Sequence, residues 1–275
     1  MKKHLSTIIL VLVLVLGLGI MLYPTVSDWW NSFHQTRAIA SYSDTVATMD
    51  NELYDQLWQE AEAYNAALAQ KANPYFFTEE DQALYDSTLN VSGTGIMGYI
   101  DIPEIKCTLP IYHGTSDAVL QVAVGHVEGS SLPVGGEGTH CVLSGHRGLP
   151  SAMLFTNLPQ LVVGDLFTLQ IMDETLTYEV DAIHTVLPHE MDRLTVEEGK
   201  DYCTLVTCTP YGVNSHRLLV RGHRVANESA AHIRVTADAI RIDPILVSPA
   251  AAAPMLLLLF LWLMFGGGKK KPKKR

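Results

Sequence analysis

Outside its two ends this chain has little positive charge, and it has few cysteines anywhere. Four cysteines in 275 residues are too few for the disulfide framework of a small exported domain. None is spaced as CxxC or set with histidine in a zinc-ligand pattern, so neither a metal nor a cofactor is expected. Eight of the 19 basic residues sit at the termini (Lys2, Lys3, Lys269, Lys270, Lys271, Lys273, Lys274 and Arg275), and residues 31–243 hold 11 basic against 28 acidic side chains. A nucleic-acid partner needs a basic footprint, and none is present. The surplus of acid reads as a solvated surface. No internal repeat is visible.

Long apolar runs, by contrast, are present at both ends. Leu5 to Tyr23 and Ile245 to Phe265 are free of charge and each approaches the roughly 20 residues that a spanning helix requires. Lys2 and Lys3 precede the first, and the KKKPKKR tail follows the second. By the positive-inside rule both termini are cytoplasmic, and the intervening domain lies outside the cell membrane, held by two helices. A cleaved signal peptide is the alternative for the first run.

The expected organisation is an N-terminal anchor (1–30), a helical extension (31–94), a strand-rich domain (95–226), a linker (227–244), a second spanning helix (245–265) and a basic tail (266–275). In the extension, Val46, Met49, Leu53, Leu57, Ala61 and Tyr64 recur at helical spacing and predict one docked face on a helix running from Trp29 to about Lys71. Asn73-Pro74-Tyr75-Phe76-Phe77 then breaks the helix with proline and three aromatics. From Gly95 onward short apolar strands alternate with turns: 96–102, 106–112, 139–144, a hairpin of 165–172 with 175–185, and a final pair at 202–208 and 217–220. Residues 125–138, rich in glycine, serine and proline, are expected to be loop. Such spacing predicts a closed or nearly closed β-barrel.

The final pair carries the candidate chemistry. Side chains alternate along a strand, so Thr204, Val206 and Cys208 share one face while Cys203, Leu205 and Thr207 share the other. Cys203 and Cys208 therefore point apart and do not suit a disulfide. Cys107, Cys141 and Cys203 lie within apolar runs, as small buried hydrophobes do. Cys208 ends its strand at the Thr209-Pro210-Tyr211-Gly212 turn, with Arg217 opening the next strand. A thiol at a strand end beside cations suits a nucleophile, since the thiolate is the reactive form and positive charge favours it. His113, His126, His140, His184, His189, His216 and His223 all fall in the strand region, and spacing pairs none of them with Cys208. His146 has one local argument, because Gly145 and Gly148 allow another segment to approach closely and leave a side chain exposed at a strand end.

Thr204-Leu205-Val206-Thr207-Cys208 resembles the TLxTC signature of sortases, the cysteine transpeptidases of Gram-positive surfaces. MGYIDIP (97–103), LPIYHGT (109–115), GHVEGSSLPVGG (125–136), LSGHRGLPSAMLF (143–155) and the stretch from Thr204 to Arg224 are similar to the class C, pilin-polymerising branch. The resemblance covers Met97 to Arg224. It implies an eight-stranded β-barrel with Cys208 as nucleophile, His146 as acid/base, Arg217 as the cation that meets the substrate carbonyl, and Thr207 as support for substrate or oxyanion. It also implies pilin subunits with a C-terminal LPxTG-like signal as substrates, cleaved after Thr, and a pilin lysine amine as acceptor. Class C enzymes carry a lid with an Asp-Pro-aromatic motif. The nearest match is Asn73-Pro74-Tyr75, within a candidate lid over 71–78, where an amide replaces the acid and no ion pair to the arginine can form. Three other readings remain: a sortase attaching single proteins to peptidoglycan; an L,D-transpeptidase, which would set its arginine almost beside the cysteine rather than nine positions on; and a non-catalytic membrane-tethered binding module.

Overall fold

The structure is a computed structural model that describes residues 2–227, with side chains from residue 7. These described residues divide into two units, 2–25 and 26–227. Helix α1 (Lys2–Ala47) begins in the first. Among the described residues it is the one helix long and apolar enough to cross a membrane. The second span expected at 245–265 and the basic tail lie outside the described residues.

Within the second unit α1 is followed by α2 (Asn51–Leu68) and α3 (Glu79–Ser87). The single helix expected from Trp29 to Lys71 is thus two. Asp50 is the cause: its carboxylate accepts from Leu53 N at 2.8 Å and caps a new helix after the break. The apolar stripe docks through its C-terminal half, with Ala61, Tyr64 and Leu68 buried and Leu53 exposed. Asn65 is buried on the same face and both gives to Leu132 O (3.1 Å) and accepts from Leu132 N (2.7 Å), so its side-chain amide satisfies a backbone that a neighbouring strand would otherwise serve.

Eight strands form a closed barrel in the order β1-β2-β3-β4-β7-β8-β6-β5. They are β1 (Ile96–Ile102), β2 (Cys107–His113), β3 (Val124–His126), β4 (Thr139–Ser144), β5 (Leu166–Ile171), β6 (Glu174–Val186), β7 (Asp201–Thr209) and β8 (His216–Val225). The strand at 124–126 replaces the start of the expected loop. It pairs in parallel with β2 and antiparallel with β4, and so fills the gap that closes the barrel. The hairpin forms as expected, with Met172 and Asp173 at its turn. Residues pointing inward build the main core: Ile100, Ile111, Phe155, Phe167, Tyr178, Cys203, Leu205 and Val220 are all fully buried. A second, smaller cluster of Val142, Val186, Leu194 and Leu219 lies on the outer face, with Val127, Met191 and Val206 against it.

Candidate active site

The site is built on the outer face where β4, β7 and β8 run side by side. Cys208 and Arg217 are directly opposed across the antiparallel β7/β8 pair, which sets their side chains on one face at about 5 Å between Cβ atoms. β4 and β7 are parallel, with Ser144 level with Val206. The ladder continues past the end of β4, where Gly145 N donates to Val206 O at 3.0 Å. Two residues beyond Ser144, that register sets His146 level with Cys208. The structure therefore gathers Cys208, His146 and Arg217 at one end of three adjacent strands.

Thr207 points the other way. Thr207 is buried and its hydroxyl donates to Gly145 O at 2.7 Å, so its side chain holds the turn bearing His146 from the face opposite Cys208. Phe155 supports the same turn from below. Its amide donates to His146 O at 3.1 Å, and a Cβ on Gly145 would lie 2.7 Å from its ring. Gly148, at φ +79, meets the ring of Tyr211 in the same way, at 2.6 Å from a built Cβ. Neither position accepts a larger residue without displacing an aromatic ring. Sequence reasoning gave Phe155 no role, because its contact with Gly145 spans a loop whose path no local pattern reveals.

The cations of β8 differ in their partners. Arg221 is held by Asp181 at 2.9 and 3.0 Å and lies 4.1 Å over the Tyr202 ring. Arg224 reaches the Thr175 carbonyl and the Tyr178 ring. Arg217 donates only to the carbonyls of Asn214 (3.2 Å) and His216 (3.1 Å) and meets no carboxylate among the described residues. Its guanidinium keeps donors for a ligand. A further cation, Arg147, gives a hydrogen bond to Thr209 Oγ1 at 3.2 Å and stands beside Tyr211.

Away from the charged end, the outer face is apolar. Val206 and Leu219 face each other two residues from Cys208 and Arg217, and Val142, Val186 and Leu194 complete the patch. Val142, Val186, Leu194 and Leu219 are all buried, so this cluster packs the outer face beneath the segment that carries Leu194. Asn73, Pro74 and Tyr75 form a turn seated on Gly129 in the loop after β3. There Pro74 O and the Tyr75 ring come within 2.7 Å of where a Cβ would stand. Asn73 Oδ1 accepts from Tyr75 N at 3.2 Å, so the amide closes its own turn and makes no hydrogen bond to Arg217 among the described residues.

The other thiols are sequestered. Cys141 and Cys203 face each other inside the barrel and are 3% and 0% exposed. Burial pushes the Cys107 thiol up to about 12, and burial likewise holds Cys203 well above the ordinary thiol value. No cluster able to hold a metal ion occurs among the described residues.

Comparison with known proteins agrees with this arrangement. Residues 100–225 match the sortase domain family. The chain is 53% identical to sortase C1 of Streptococcus agalactiae, covering 70% of this chain and 99% of that one at a TM-score of 0.68. It is 40% identical to Clostridium perfringens sortase C, solved with the C-terminal cell wall sorting motif, over 70% of this chain and 99% of that one at a TM-score of 0.61. It is also 30% identical to sortase D of Bacillus subtilis (strain 168) across 148 residues, 53% of this chain and 72% of the relative. A barrel closed in this order, a thiol set outward at the end of β7, a relative covered to 72% and solved structures covered along nearly their whole length lead to one conclusion: the chain belongs to the sortase family of cysteine transpeptidases, with class C sortases among its structural neighbours.

Proposed function

We propose that this sortase is a membrane-anchored pilin polymerase in which Cys208, His146 and Arg217 act together. The observation that supports the reading is the register that brings Cys208, His146 and Arg217 to one end of β4, β7 and β8. The Cys208 thiolate attacks the Thr carbonyl of an LPxTG-like signal, and Arg217 donates to the oxyanion that develops. Protonated His146 gives its proton to the leaving Gly amine. A thioacyl enzyme remains. The lysine amine of the next pilin attacks it, His146 takes the amine's proton, and the thiolate leaves as an isopeptide bond forms. The class C neighbours support pilin as the substrate, and one of them, the sortase C of Streptococcus pneumoniae, is described in terms of pilin substrate specificity. Helix α1 supplies the anchor.

The test is to mix the full chain, in detergent, with a pilin ending in an LPxTG-like signal and to map a hydroxylamine-sensitive thioester. It is expected on Cys208, followed by pilin dimers joined through lysine. A thioester that forms but resolves only onto a cell-wall amine would move the chain to peptidoglycan anchoring. Pilin chains that form unchanged with Cys208→Ala would end the reading.

A further inference from the structure

The loop that follows His146 is tied to helix α1, and we propose that Asp28 and Asn31 of that helix are positioning residues for the catalytic histidine. Asp28 Oδ1 accepts from Met153 N at 2.7 Å, and Asn31 Nδ2 donates to Ser151 O at 2.8 Å. Three residues apart, these side chains share a helix face. The face continues toward the C-terminus with Gln35, which donates to Val122 O at 2.7 Å. Tyr42 follows, its hydroxyl giving to Met97 O and accepting from Met172 N, both at 2.8 Å. This side of the helix is polar where it meets the loop, while Trp29, Trp30 and Phe33 on its other sides are more than half exposed. The pattern inverts that of a helix docked by apolar burial. What holds α1 to the loop is directed hydrogen bonding to two backbone groups.

Those two groups matter because of what lies next to them. Ala152 and Leu154 turn inward and are buried, which leaves the amide of Met153 and the carbonyl of Ser151 facing outward to α1. Phe155 comes next. Its amide holds His146 O, its ring fills the space under Gly145, and Thr156 Oγ1 accepts from Gly148 N at 3.0 Å. A shift at 151–153 is therefore passed through Phe155 to the turn that sets the imidazole. Misplacement of a reacting group by about 1 Å can lower a rate on the order of 100-fold, so a partial loosening here should lower kcat about ten-fold. Substrate affinity should change little, because the tie acts on the turn that sets the imidazole. The inference rests on the sortase reading, since it presumes that His146 handles protons in turnover.

The two hydrogen bonds run in opposite directions, and that supplies the test. Asp28 accepts, so Asp28→Asn keeps the bond and Asp28→Ala removes it. Asn31 donates, so Asn31→Asp cannot make the bond and sets a carboxylate against a carbonyl. The full chain in detergent would be assayed for cleavage of an LPxTG peptide, with hydrogen exchange followed across 145–157. The expected result is a kcat about ten-fold lower for Asp28→Ala and Asn31→Asp, KM within about two-fold of wild type, near-normal kcat for Asp28→Asn, and faster exchange at 145–149 only in the first two. Wild-type kcat in all three variants overturns the proposal, as does unchanged exchange at 145–149 or an Asp28→Asn as impaired as Asp28→Ala. A wild-type chain that cleaves no peptide would instead sink the sortase reading itself.

Discussion

Two histidine-hydroxyl-or-thiol-arginine groups lie on the outer face of the same three strands, and they differ in how their polar groups are partnered. At one end His146, Cys208 and Arg217 stand together. Lower on the same strands are His140 of β4, Thr204 of β7 and Arg221 of β8, with Thr204 directly opposite Arg221. At this second group every partner is supplied. His140, 1% exposed, has Nδ1 at 2.9 Å from Thr195 O and Nε2 at 2.7 Å from Thr204 Oγ1, and Arg221 is clamped by Asp181. At the first group no ring nitrogen of His146 has a hydrogen-bond partner among the described residues, and Arg217 meets only carbonyls. The same strand geometry yields a structural staple where partners are present and the candidate reactive site where they are withheld.

The sharpest way to break this comparison is to remove each arginine in turn. Arg217→Ala should lower kcat by about 100-fold or more, as loss of an oxyanion donor does, and should change the urea midpoint little, because the side chain is half-exposed and anchors only to carbonyls. Arg221→Ala should do the reverse. It strands Asp181 and uncovers the Tyr202 ring, a loss of about 1 to 3 kcal/mol in stability with near-normal turnover. Peptide cleavage and urea titration of both variants would decide the matter. Equal loss of fold and activity in Arg217→Ala would remove it from the chemistry.

How far this was legible in the sequence depends on the reach of each contact. The period of two along β7 separates Cys208 from Cys203 without any knowledge of the fold, and the structure places the second inside and the first outside. Gly145 and Gly148 mark close approaches, although only the fold names Phe155 and Tyr211 as the rings that arrive. Helix α1 and α2 read as one because the cap at Asp50 lies inside an unbroken apolar period. Strand β3 is three residues in a glycine-rich stretch, and its pairing with β2 and β4 is set by barrel closure, a global condition. Thr207 with Gly145, and Arg221 with Asp181, are 62 and 40 residues apart, and spacing carries no signal at that range. The barrel was therefore readable and the candidate site residues could be named as candidates, while the contacts that hold them in place were not legible.

The candidate lid is held more firmly at its base than at its middle. The Asn73-Pro74-Tyr75 turn sits on Gly129 and is tied at its base by Lys71 to Asp81 and by Phe77 packed edge-on against Tyr85. Its middle has weaker attachments, and Phe76 is 70% exposed. Replacing Pro74, Tyr75 and Phe76 with glycine and serine spares both ties. If the turn shields the site, iodoacetamide should alkylate Cys208 several-fold faster in this variant, with no change at Cys203. An unchanged rate would show that these aromatics cover scaffold alone.

The smallest effect concerns the stapled group and has a definite sign with pH. Burial is the main cause that holds the His140 imidazole below its ordinary 6.5, and Arg221 adds to it, while the Thr195 carbonyl, Glu197 and Asp181 oppose it. The neutral ring gives its Nδ1 hydrogen to Thr195 O and accepts from Thr204 at Nε2, so the fold prefers it uncharged. Below 6.5 the unfolded chain binds a proton that the folded chain resists, and stability falls as the pH falls, whereas above 6.5 this contribution is fully present. His113, also lowered by burial, acts in the same direction, so the test must isolate His140. His140→Gln retains a side-chain donor and acceptor without a titrating group. Its urea midpoint should be lower than wild type at pH 7.5 but should decline less between pH 7.5 and 5.5. Parallel declines in the two proteins would mean that the ring at the stapled end is protonated as readily folded as unfolded, and that its hydrogen bonds do not select the neutral form.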